Sequence, residues 1–341
     1  MRVGTALALA LSWAATSEAH KPSTTEFTYH RDIYPIFFEK CGSCHRTGGV
    51  APMSLLRYKD AYPWAASIKN ELLKLAMPPW FADERYGTFK HGLGLTGKEL
   101  DTVVDWCLGG TPEGDAVEGI GDEEAASGWP LGEPDRELSM NEPVILGPEQ
   151  SEAVRELRLG ELAQEGHLRA IDVRPGAPSV VRSALVFAGD SLIGAWTAGT
   201  RPESLSGGRG FRVPKGSPIT LRLRYRKTWL DEGSTVEDVS TLALYFQDEI
   251  EARVEPLSVD PGGHTLERDV EVLALVPRVE ERSPTFLAEA TKPDGSREPL
   301  IRLNEPNPDF PRAYWLETPL YLPSGTRVDS SHSLVLNVVF R

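Results

Sequence analysis

Three features that would define common classes of protein are missing from this chain. After the first twenty residues, no stretch is long and apolar enough to form a membrane-spanning helix. An excess of positive charge is also missing: the formal net charge is −14, which argues against nucleic acid or an anionic membrane surface as a partner. No Ser/His/Asp or Cys/His set with catalytic spacing is recognisable, so no residue is assigned a catalytic role.

The size and composition predict a globular chain with more than one core. At 341 residues, of which 40% are hydrophobic, the chain can bury two or three modest cores. Charge is unevenly placed: residues 20–110 hold 11 basic and 10 acidic side chains, whereas residues 111–150 hold one basic and 11 acidic. An acidic block of this kind between two modules predicts a solvated linker, which we assign to residues 113–137.

The N-terminus has the pattern of an export signal. An arginine precedes the apolar run Val3–Ala15, which is too short to span a bilayer. Ser17 and Ala19 then supply the small residues of a cleavage site. Residues 1–19 are therefore predicted as a signal peptide. The mature protein is expected to begin at His20 and to be periplasmic or otherwise extracytoplasmic.

The most specific motif of the chain is Cys41-Gly42-Ser43-Cys44-His45. Two thiols separated by two residues and followed at once by histidine are typical of covalent c-type haem attachment. The thiols would bind the haem vinyl groups, and His45 would be the proximal iron ligand. Zinc would need two more ligands nearby, and a redox dithiol would need a thioredoxin-like setting. One haem c is expected, and Cys107 is interpreted as a small buried side chain rather than a reactive thiol.

Periodicity around this motif predicts a small all-α c-type cytochrome domain over residues 20–112. Apolar residues at helical spacing predict one helix over Asp32–Lys40 and a second over Ala61–Leu75. Thr96 and Glu99 form a capping box that would begin a third helix, and glycines at 109 and 110 would end it.

A methionine after the second helix is the predicted distal ligand of the haem iron. Met77 precedes two prolines, which stop the helix and stiffen the segment that carries the thioether. Thioether coordination would raise the haem potential. Met53, His91 and five-coordinate iron are the alternatives, and His30 is interpreted as a residue at the start of the first helix.

Several segments of the chain resemble one bacterial family. Those before residue 115 are Tyr29-His30-Arg31-Asp32-Ile33, Gly49-Val50-Ala51-Pro52-Met53, Met77-Pro78-Pro79-Trp80-Phe81-Ala82-Asp83 and Trp106-x-x-Gly109-Gly110. Those after it are Arg169–Gly176, Val180-Val181, Val213–Ser217, Arg224-Tyr225, Pro293-Asp294-Gly295 and Tyr314–Thr326. Together they resemble bacterial c-type cytochromes fused to copper type II, ascorbate-dependent (peptidylglycine monooxygenase-like) domains. The resemblance is closest over residues 27–115 and less close over 138–341.

Strand patterns agree with what this resemblance implies for the second part. Two runs place apolar residues at every second position, the period of half-buried strands; these residues are Ile219, Leu221, Leu223 and Tyr225, and Leu334, Leu336, Val338 and Phe340. We predict two consecutive jelly-roll-like β-sandwiches, over 138–256 and 257–341. The fold class is therefore multidomain, with a small all-α cytochrome followed by all-β tandem sandwiches.

The chain departs from the family at the copper ligands that the resemblance implies. The family's paired histidines correspond to Arg182 and Ser183, a further histidine to Arg224, and its Pro-His-Met-His segment to Pro277–Glu280, which includes Arg278 and Glu280. Arginine stays protonated and cannot coordinate copper. No methionine follows Met140, and the histidines of the last 200 residues are His167, His264 and His332. We interpret these five positions as a degenerate copper site and do not expect copper as a cofactor.

The same positions suggest a structural role for the cleft that would hold copper in the family. Arg222, Arg224 and Arg226 share one strand face, and the resemblance would bring Arg278 and Glu280 towards them. Our hypothesis is a buried ion-pair network in which Glu280 or other acids pair with the arginines, because unpaired buried arginines would be too costly. The alternative is that these arginines line a solvated face.

Three functions of different classes are compatible with the sequence. The favoured one is an exported electron carrier with an unidentified redox partner protein, in which the sandwiches act as a docking or scaffold module. The second is a copper monooxygenase fed by its own haem, which the missing ligands oppose. The third is a ligand-binding or assembly protein of a respiratory complex.

Overall fold

The computed structural model describes residues 25–79, 81–90, 94–117 and 128–341 of the chain. The predicted signal peptide, His20, Trp80, His91 and the middle of the predicted linker lie outside these ranges. Within them, no helix is long and apolar enough to cross a membrane. The described chain is mostly β-sheet, with a few short helices towards its N-terminal end.

The helices lie close to their predicted positions. The first, α1, runs through Tyr29–Ile33, Tyr34–Ile36 and Phe37–Cys41 without a break. The others are α2 (Tyr58–Ala61), α3 (Ala65–Leu73) and α4 (Gly97–Leu108), with single 3-10 turns at Tyr62–Trp64 and Glu84–Tyr86. The expectation for Leu75 is wrong, since α3 ends before it and Leu75, with a φ of 56°, is 38% exposed.

Local hydrogen bonds set the start of α4. The hydroxyl of Thr96 accepts from the Glu99 N–H at 3.2 Å, and the Glu99 carboxylate accepts from the Thr96 N–H at 2.7 Å. The predicted capping box is therefore confirmed. Val103 and Trp106 of this helix are fully buried in a core that they share with α1 and α3.

Eighteen strands follow in the described residues. They are β1 (Arg136–Ser139), β2 (Val144–Leu146), β3 (Glu152–Glu161), β4 (Gly166–Arg174), β5 (Val181–Ala188), β6 (Ser191–Thr197), β7 (Arg209–Val213), β8 (Pro218–Arg226), β9 (Val236–Asp238), β10 (Thr241–Gln247), β11 (Ala252–Val259), β12 (His264–Thr265), β13 (Val270–Pro277), β14 (Thr285–Thr291), β15 (Arg297–Asn304), β16 (Tyr314–Leu322), β17 (Arg327–Ser330) and β18 (Leu334–Phe340).

The strands pack as two sandwiches. In the first, the layer β1-β10-β4-β7 and the layer β3-β8-β5-β6 contribute to one hydrophobic core. In the second, β11-β18-β13-β16 packs on β12-β17-β14-β15 around another core. The predicted alternation of β8 is confirmed, because its four apolar residues from Ile219 to Tyr225 are all fully buried. The coarse expectation of a β-rich chain built from sandwiches therefore describes the second part.

The two sandwiches share one continuous sheet. Strand β11 pairs in parallel with β7 through Ala252–Val254, and then antiparallel with β18 through Glu255–Val259. The predicted domain boundary between residues 256 and 257 therefore falls inside a strand. A parallel pairing between distant strands leaves no local pattern in the sequence, which is why composition did not reveal it.

Strand β18 shows what this continuity does to burial. The sequence predicts that one face of β18 is buried, but residues on both faces are. Leu334, Leu336 and Val338 point into the second core, whereas Val335 packs with Leu185 of the first sandwich. The prediction of a half-buried strand is wrong here because a second sandwich covers the face that would otherwise meet water.

The N-terminal helical part is attached to the second sandwich by an extended segment, residues 81–90, which we call the strap. Ala82 forms an antiparallel bridge with Leu303 of β15, and Phe89 does the same with Leu316 of β16. The Lys90 N–H donates to the carbonyl of residue 315 at 2.8 Å. These backbone contacts extend the sheet edges of the second sandwich towards the helices.

Both described ends of the predicted linker are also packed. At the first end, the N–H groups of Tyr29 and His30 donate to the carbonyls of Pro112 and Glu113 at 2.9 and 3.1 Å. At the second, Trp129 is buried and lies 3.9 Å from the Arg174 guanidinium. Apart from Trp129, the residues of 113–117 and 128–137 are exposed or partly exposed, so the solvated linker stays a prediction, although both described ends make tertiary contacts.

Candidate functional site

The Cys-x-x-Cys-His motif continues the last turn of α1. Cys41 is the final residue of the helix, and its carbonyl accepts from the N–H groups of Cys44 at 3.1 Å and His45 at 2.9 Å. One further helical turn therefore carries both thiols and the imidazole. This placement follows from the sequence, because the apolar stripe of α1 packs the helix in the core and so presents the motif at its end.

The His45 ring is held in one orientation by the backbone. Its Nδ1 lies 3.2 Å from the Met53 carbonyl oxygen. A carbonyl can only accept, so Nδ1 carries the proton and donates it. Nε2 of the neutral ring therefore keeps a free lone pair and is the atom that can bind a metal. Burial lowers the pKa of His45 and keeps the imidazole neutral. A ring held through its other nitrogen in this way is typical of histidines that ligate metals.

The two thiols of the motif are free and desolvated. Neither Cys41 nor Cys44 is in a disulfide. Burial raises the pKa of Cys41 to about 12 and that of Cys44 to about 11, so both remain protonated near neutral pH. The Cys44 sulfur lies 3.6 Å from the carbonyl oxygen of Ala198, in the turn after β6. The second thiol of the motif therefore lies against the first sandwich.

Gly199 makes this approach possible. A Cβ atom built on Gly199 would lie 2.1 Å from the Cys44 sulfur, far inside contact distance. Gly199 also has a φ of +82°, which side-chain-bearing residues rarely adopt. The backbone turn after β6 can therefore pack directly against the Cys44 sulfur because residue 199 is glycine.

Gly199→Ala is expected to destabilise the protein by roughly 1–3 kcal/mol, because the new methyl group must displace Cys44 or the turn. Urea unfolding measures the loss. Gly207→Ala is the matched control, since Gly207 also has a positive φ, +64°, but no atom lies within 4 Å of its Cβ position. Equal losses in the two variants would show that backbone strain alone acts and that the contact with Cys44 is unimportant.

Arg182 forms a second link between the motif and the first sandwich. Its guanidinium, 6% exposed on β5, donates from Nη1 to the Val50 carbonyl and from Nη2 to the Arg226 carbonyl at 2.7 Å. Desolvation lowers the pKa of Arg182, although an arginine remains charged. Arg182 therefore joins the loop after His45 to strands β5 and β8, and it does not line the cleft of the other predicted positions.

The remaining four degenerate positions meet in one small cleft, which we call the arginine cleft. Ser183, Arg224, Arg278 and Glu280 all line it, and it encloses about 30 Å³. Its acid is Glu280, whose carboxylate lies 3.2 Å from Arg222, 3.7 Å from Arg224 and 3.4 Å from Arg278. The structure thus brings together the groups that the network hypothesis names.

The buried acid beside these arginines is not Glu280 but another acid, Asp309. The Glu280 side chain is 55% exposed, whereas that of Asp309 is 4% exposed. Asp309 lies 2.6 Å from Arg226 Nε and 3.6 Å from Arg224 Nη1. The shorter contact is an ion pair without hydrogen-bond alignment, because Arg226 Nε makes no hydrogen bond. Asp309 was missed because it lies in an irregular Pro-rich loop, where no periodicity marks a buried side chain.

The methionines of the helical part occupy different places. Met77 follows α3 in the segment that leads to the strap, and its side chain is 39% exposed. The Met53 backbone carbonyl contacts Nδ1 of His45. Met53 stays an alternative distal ligand. Met77 stays a prediction, and His91 lies outside the described residues.

The other singled-out residues of the helical part have structural partners. His30 Nδ1 lies 2.9 Å from the Asp115 carbonyl oxygen, so the ring fastens the start of α1 to the segment after α4. Cys107 is partly buried in the helical core, and burial raises its pKa to about 12. Both observations agree with the structural interpretation of these residues.

In the parts of the chain that the structure describes, no group of three or more His, Cys, Asp or Glu side chains is arranged to hold a metal ion. The three C-terminal histidines lie apart, at His167 on β4, His264 on β12 and His332 in the turn before β18.

Comparisons with known proteins add little to this picture. No protein-family model and no curated protein matches the chain. It is similar to the major capsid protein P2 from bacteriophage PM2, with a TM-score of 0.27 and 9% identity over 60% of this chain and 97% of that chain. It is also similar to a Paenibacillus xanthan lyase, with a TM-score of 0.19 and 11% identity over 65% of this chain and 27% of that chain. Both scores are too low to support a conclusion.

Proposed function

We propose that this protein is an exported, single-haem c-type cytochrome that transfers electrons and uses its β-sandwiches as a docking or scaffold module. The observation that carries the proposal is His45, a partly buried neutral imidazole held through Nδ1 directly after two free thiols. The sequence resemblance to cytochromes fused to monooxygenase-like domains supports it as well. Its donor and acceptor would be redox partner proteins.

The residues present fit a covalently bound haem. Cys41 and Cys44 would hold the porphyrin through thioether bonds, and His45 Nε2 would ligate the iron. The donor set suits haem better than zinc, because a structural zinc site needs four protein ligands and the motif supplies three side chains. When bound, haem would supply one-electron transfer between the ferrous and ferric states.

The chain's own residues would support that group from two sides. The Met53 carbonyl fixes the tautomer of His45 and raises the basicity of Nε2. Arg182 holds the loop after His45 against the first sandwich, while the strap fastens the segment after Met77 to the second. In this proposal, both sandwiches act as the frame that fixes the two ligand-bearing loops relative to each other.

The arginine cleft bears on the copper alternative. A monooxygenase would need imidazole or thioether ligands, whereas the corresponding positions carry two arginines, a serine and a glutamate around the cleft. Guanidinium groups repel a cation. We therefore propose a sandwich without copper.

Metal analysis and optical spectra test this proposal. The mature chain, expressed with haem-maturation machinery, is expected to contain one iron and no copper per chain. Met77→Ala is expected to remove the methionine-to-iron charge-transfer band of the oxidised protein, while Met53→Ala, the matched control, retains it.

Other outcomes would contradict separate parts of the proposal. Tightly bound stoichiometric copper would overturn the copper-free sandwich and support the monooxygenase alternative. Retention of the band in Met77→Ala, with loss in Met53→Ala, would show that the distal ligand is wrongly assigned. Absence of iron would overturn the electron-transfer function.

A further inference from the structure

We propose that the arginine cleft is a binding site for a small anion, a carboxylate or a tetrahedral oxyanion, and that the Glu280 side chain occupies it as an internal substitute. The proposal concerns the first and second sandwiches and does not depend on haem. It starts from an imbalance of charge: three guanidinium groups contact the Glu280 carboxylate, which is 55% exposed, and Arg224 alone among them also contacts a second acid, Asp309.

The three arginines come from two separate elements. Arg222 and Arg224 stand two residues apart on β8, so their side chains leave the same face of the strand. Arg278 follows β13, where its N–H donates to the Ser333 carbonyl at 2.8 Å and its guanidinium lies 6.0 Å from the Phe187 ring centroid. Backbone and ring contacts therefore hold the third guanidinium opposite the first two.

The Glu280 contacts are looser than those of a well-seated ion pair. Its three distances are 3.2, 3.4 and 3.7 Å, whereas charge-assisted N–H···O bonds are about 2.7–2.9 Å long. Glu280 lies in the turn after β13, and its side chain is 55% exposed. An exposed loop carboxylate at these distances can leave the guanidinium groups at little cost.

The other acids near the cleft either pair with a different arginine or form no ion pair with Arg222 or Arg278. Asp309 is buried and pairs with Arg226 and Arg224, which belong with Arg222 to one face of β8. Glu152 pairs with Arg226 at 2.8 Å. Glu156 faces Arg222 across the β3–β8 register, but it is exposed and makes none of the ion pairs within 4 Å that the described residues show. Arg222 and Arg278 therefore have Glu280 as their one close acid among the described residues.

The residues that line the cleft offer a bound anion a better environment than water does. Ser183 lines it and can offer a hydroxyl donor, while Val279, Pro308 and Pro311 form an apolar side. Low-polarity walls strengthen charge-assisted hydrogen bonds, and the planar fork of arginine matches both carboxylate and phosphate oxygens. The enclosed volume of about 30 Å³ is small, so the ligand must take the place of the Glu280 carboxylate.

Calorimetric titration of the full chain at low ionic strength tests the site. Inorganic phosphate and acetate are the probes, and they distinguish a tetrahedral oxyanion from a carboxylate. Glu280→Gln is expected to tighten binding of at least one probe roughly tenfold, because the internal competitor is gone. Glu281→Gln is the matched control, since it changes the net charge equally at an exposed neighbour with no ion pair among the described contacts.

A second variant localises the effect. Adding Arg222→Gln to Glu280→Gln is expected to abolish the gained affinity, and its 31% exposed side chain makes the change tolerable for folding. Equal affinities in Glu280→Gln and Glu281→Gln would overturn the proposal, because general electrostatics would then account for any gain. Tight binding that survives Arg222→Gln would overturn it too, since the anion would bind elsewhere. These readouts involve no haem, so their failure leaves the cytochrome proposal untouched.

Discussion

Replacing both Cys41 and Cys44 with serine is expected to abolish covalently bound haem in protein expressed with maturation machinery. Serine preserves the size of each side chain but has no thiol with which to form a thioether bond. Haem staining after denaturing electrophoresis measures the loss, because only covalently attached haem stays with the chain. This is the largest effect that the proposed function predicts, since it removes the cofactor itself.

Cys107→Ser supplies the control for this experiment. Cys107 is the remaining cysteine of the chain and lies in the core of the same helical part. Its replacement is expected to leave the haem stain unchanged, because this thiol lies on α4 and outside the motif. A haem stain that persists in the double variant would overturn covalent attachment at the motif. Loss of the stain in Cys107→Ser would show that folding, rather than attachment chemistry, controls it.

Asp309→Asn is expected to lower the free energy of unfolding by about 2 kcal/mol, because it removes the buried acid of Arg226 and Arg224 and leaves them only the exposed acids Glu152 and Glu280. The side chain is 4% exposed and lies 2.6 Å from Arg226, whereas asparagine keeps the shape and removes the charge. Urea unfolding measures the difference. The expected loss is the largest among the acids that pair with the arginines of β8, since Asp309 is the buried one.

Glu152→Gln tests the same arginine from the solvent side. Glu152 lies 2.8 Å from Arg226, but its side chain is 61% exposed, so the loss is expected to stay within about 1 kcal/mol. Similar losses in the two variants would show that burial does not distinguish the two acids. Glu280, at 55% exposure, is expected to behave like Glu152, so its replacement is expected to cost little stability.

Local patterns predicted those features whose causes are local. The capping box of α4 depends on two residues three positions apart, and the alternation of β8 depends on neighbours two positions apart. The Cys-x-x-Cys-His motif is legible for the same reason, because its three side chains share one helical turn. In each case the interacting groups are close in the sequence, so spacing alone describes their geometry.

Features that depend on contacts between distant segments could not be predicted from the sequence. The charge of residues 111–150 predicted a linker, but Trp129 is buried against the first sandwich and Pro112 is hydrogen-bonded to α1. The alternation of β18 predicted one buried face, but Val335 is covered by another sandwich. In both cases the free energy of burial comes from a partner remote in the chain, and no local pattern encodes which partner that is.

The sequence by itself determined the chemistry that this protein can offer: two thiols and an imidazole in one turn, sandwich strands, and arginines where the resemblance implies copper ligands. Tertiary structure decided which groups meet. It brought Gly199 to Cys44, Arg182 to the loop after His45, and Asp309 rather than Glu280 into the interior. Residue identity sets charge and bonding capacity, but burial and distance depend on packing between segments far apart in the chain.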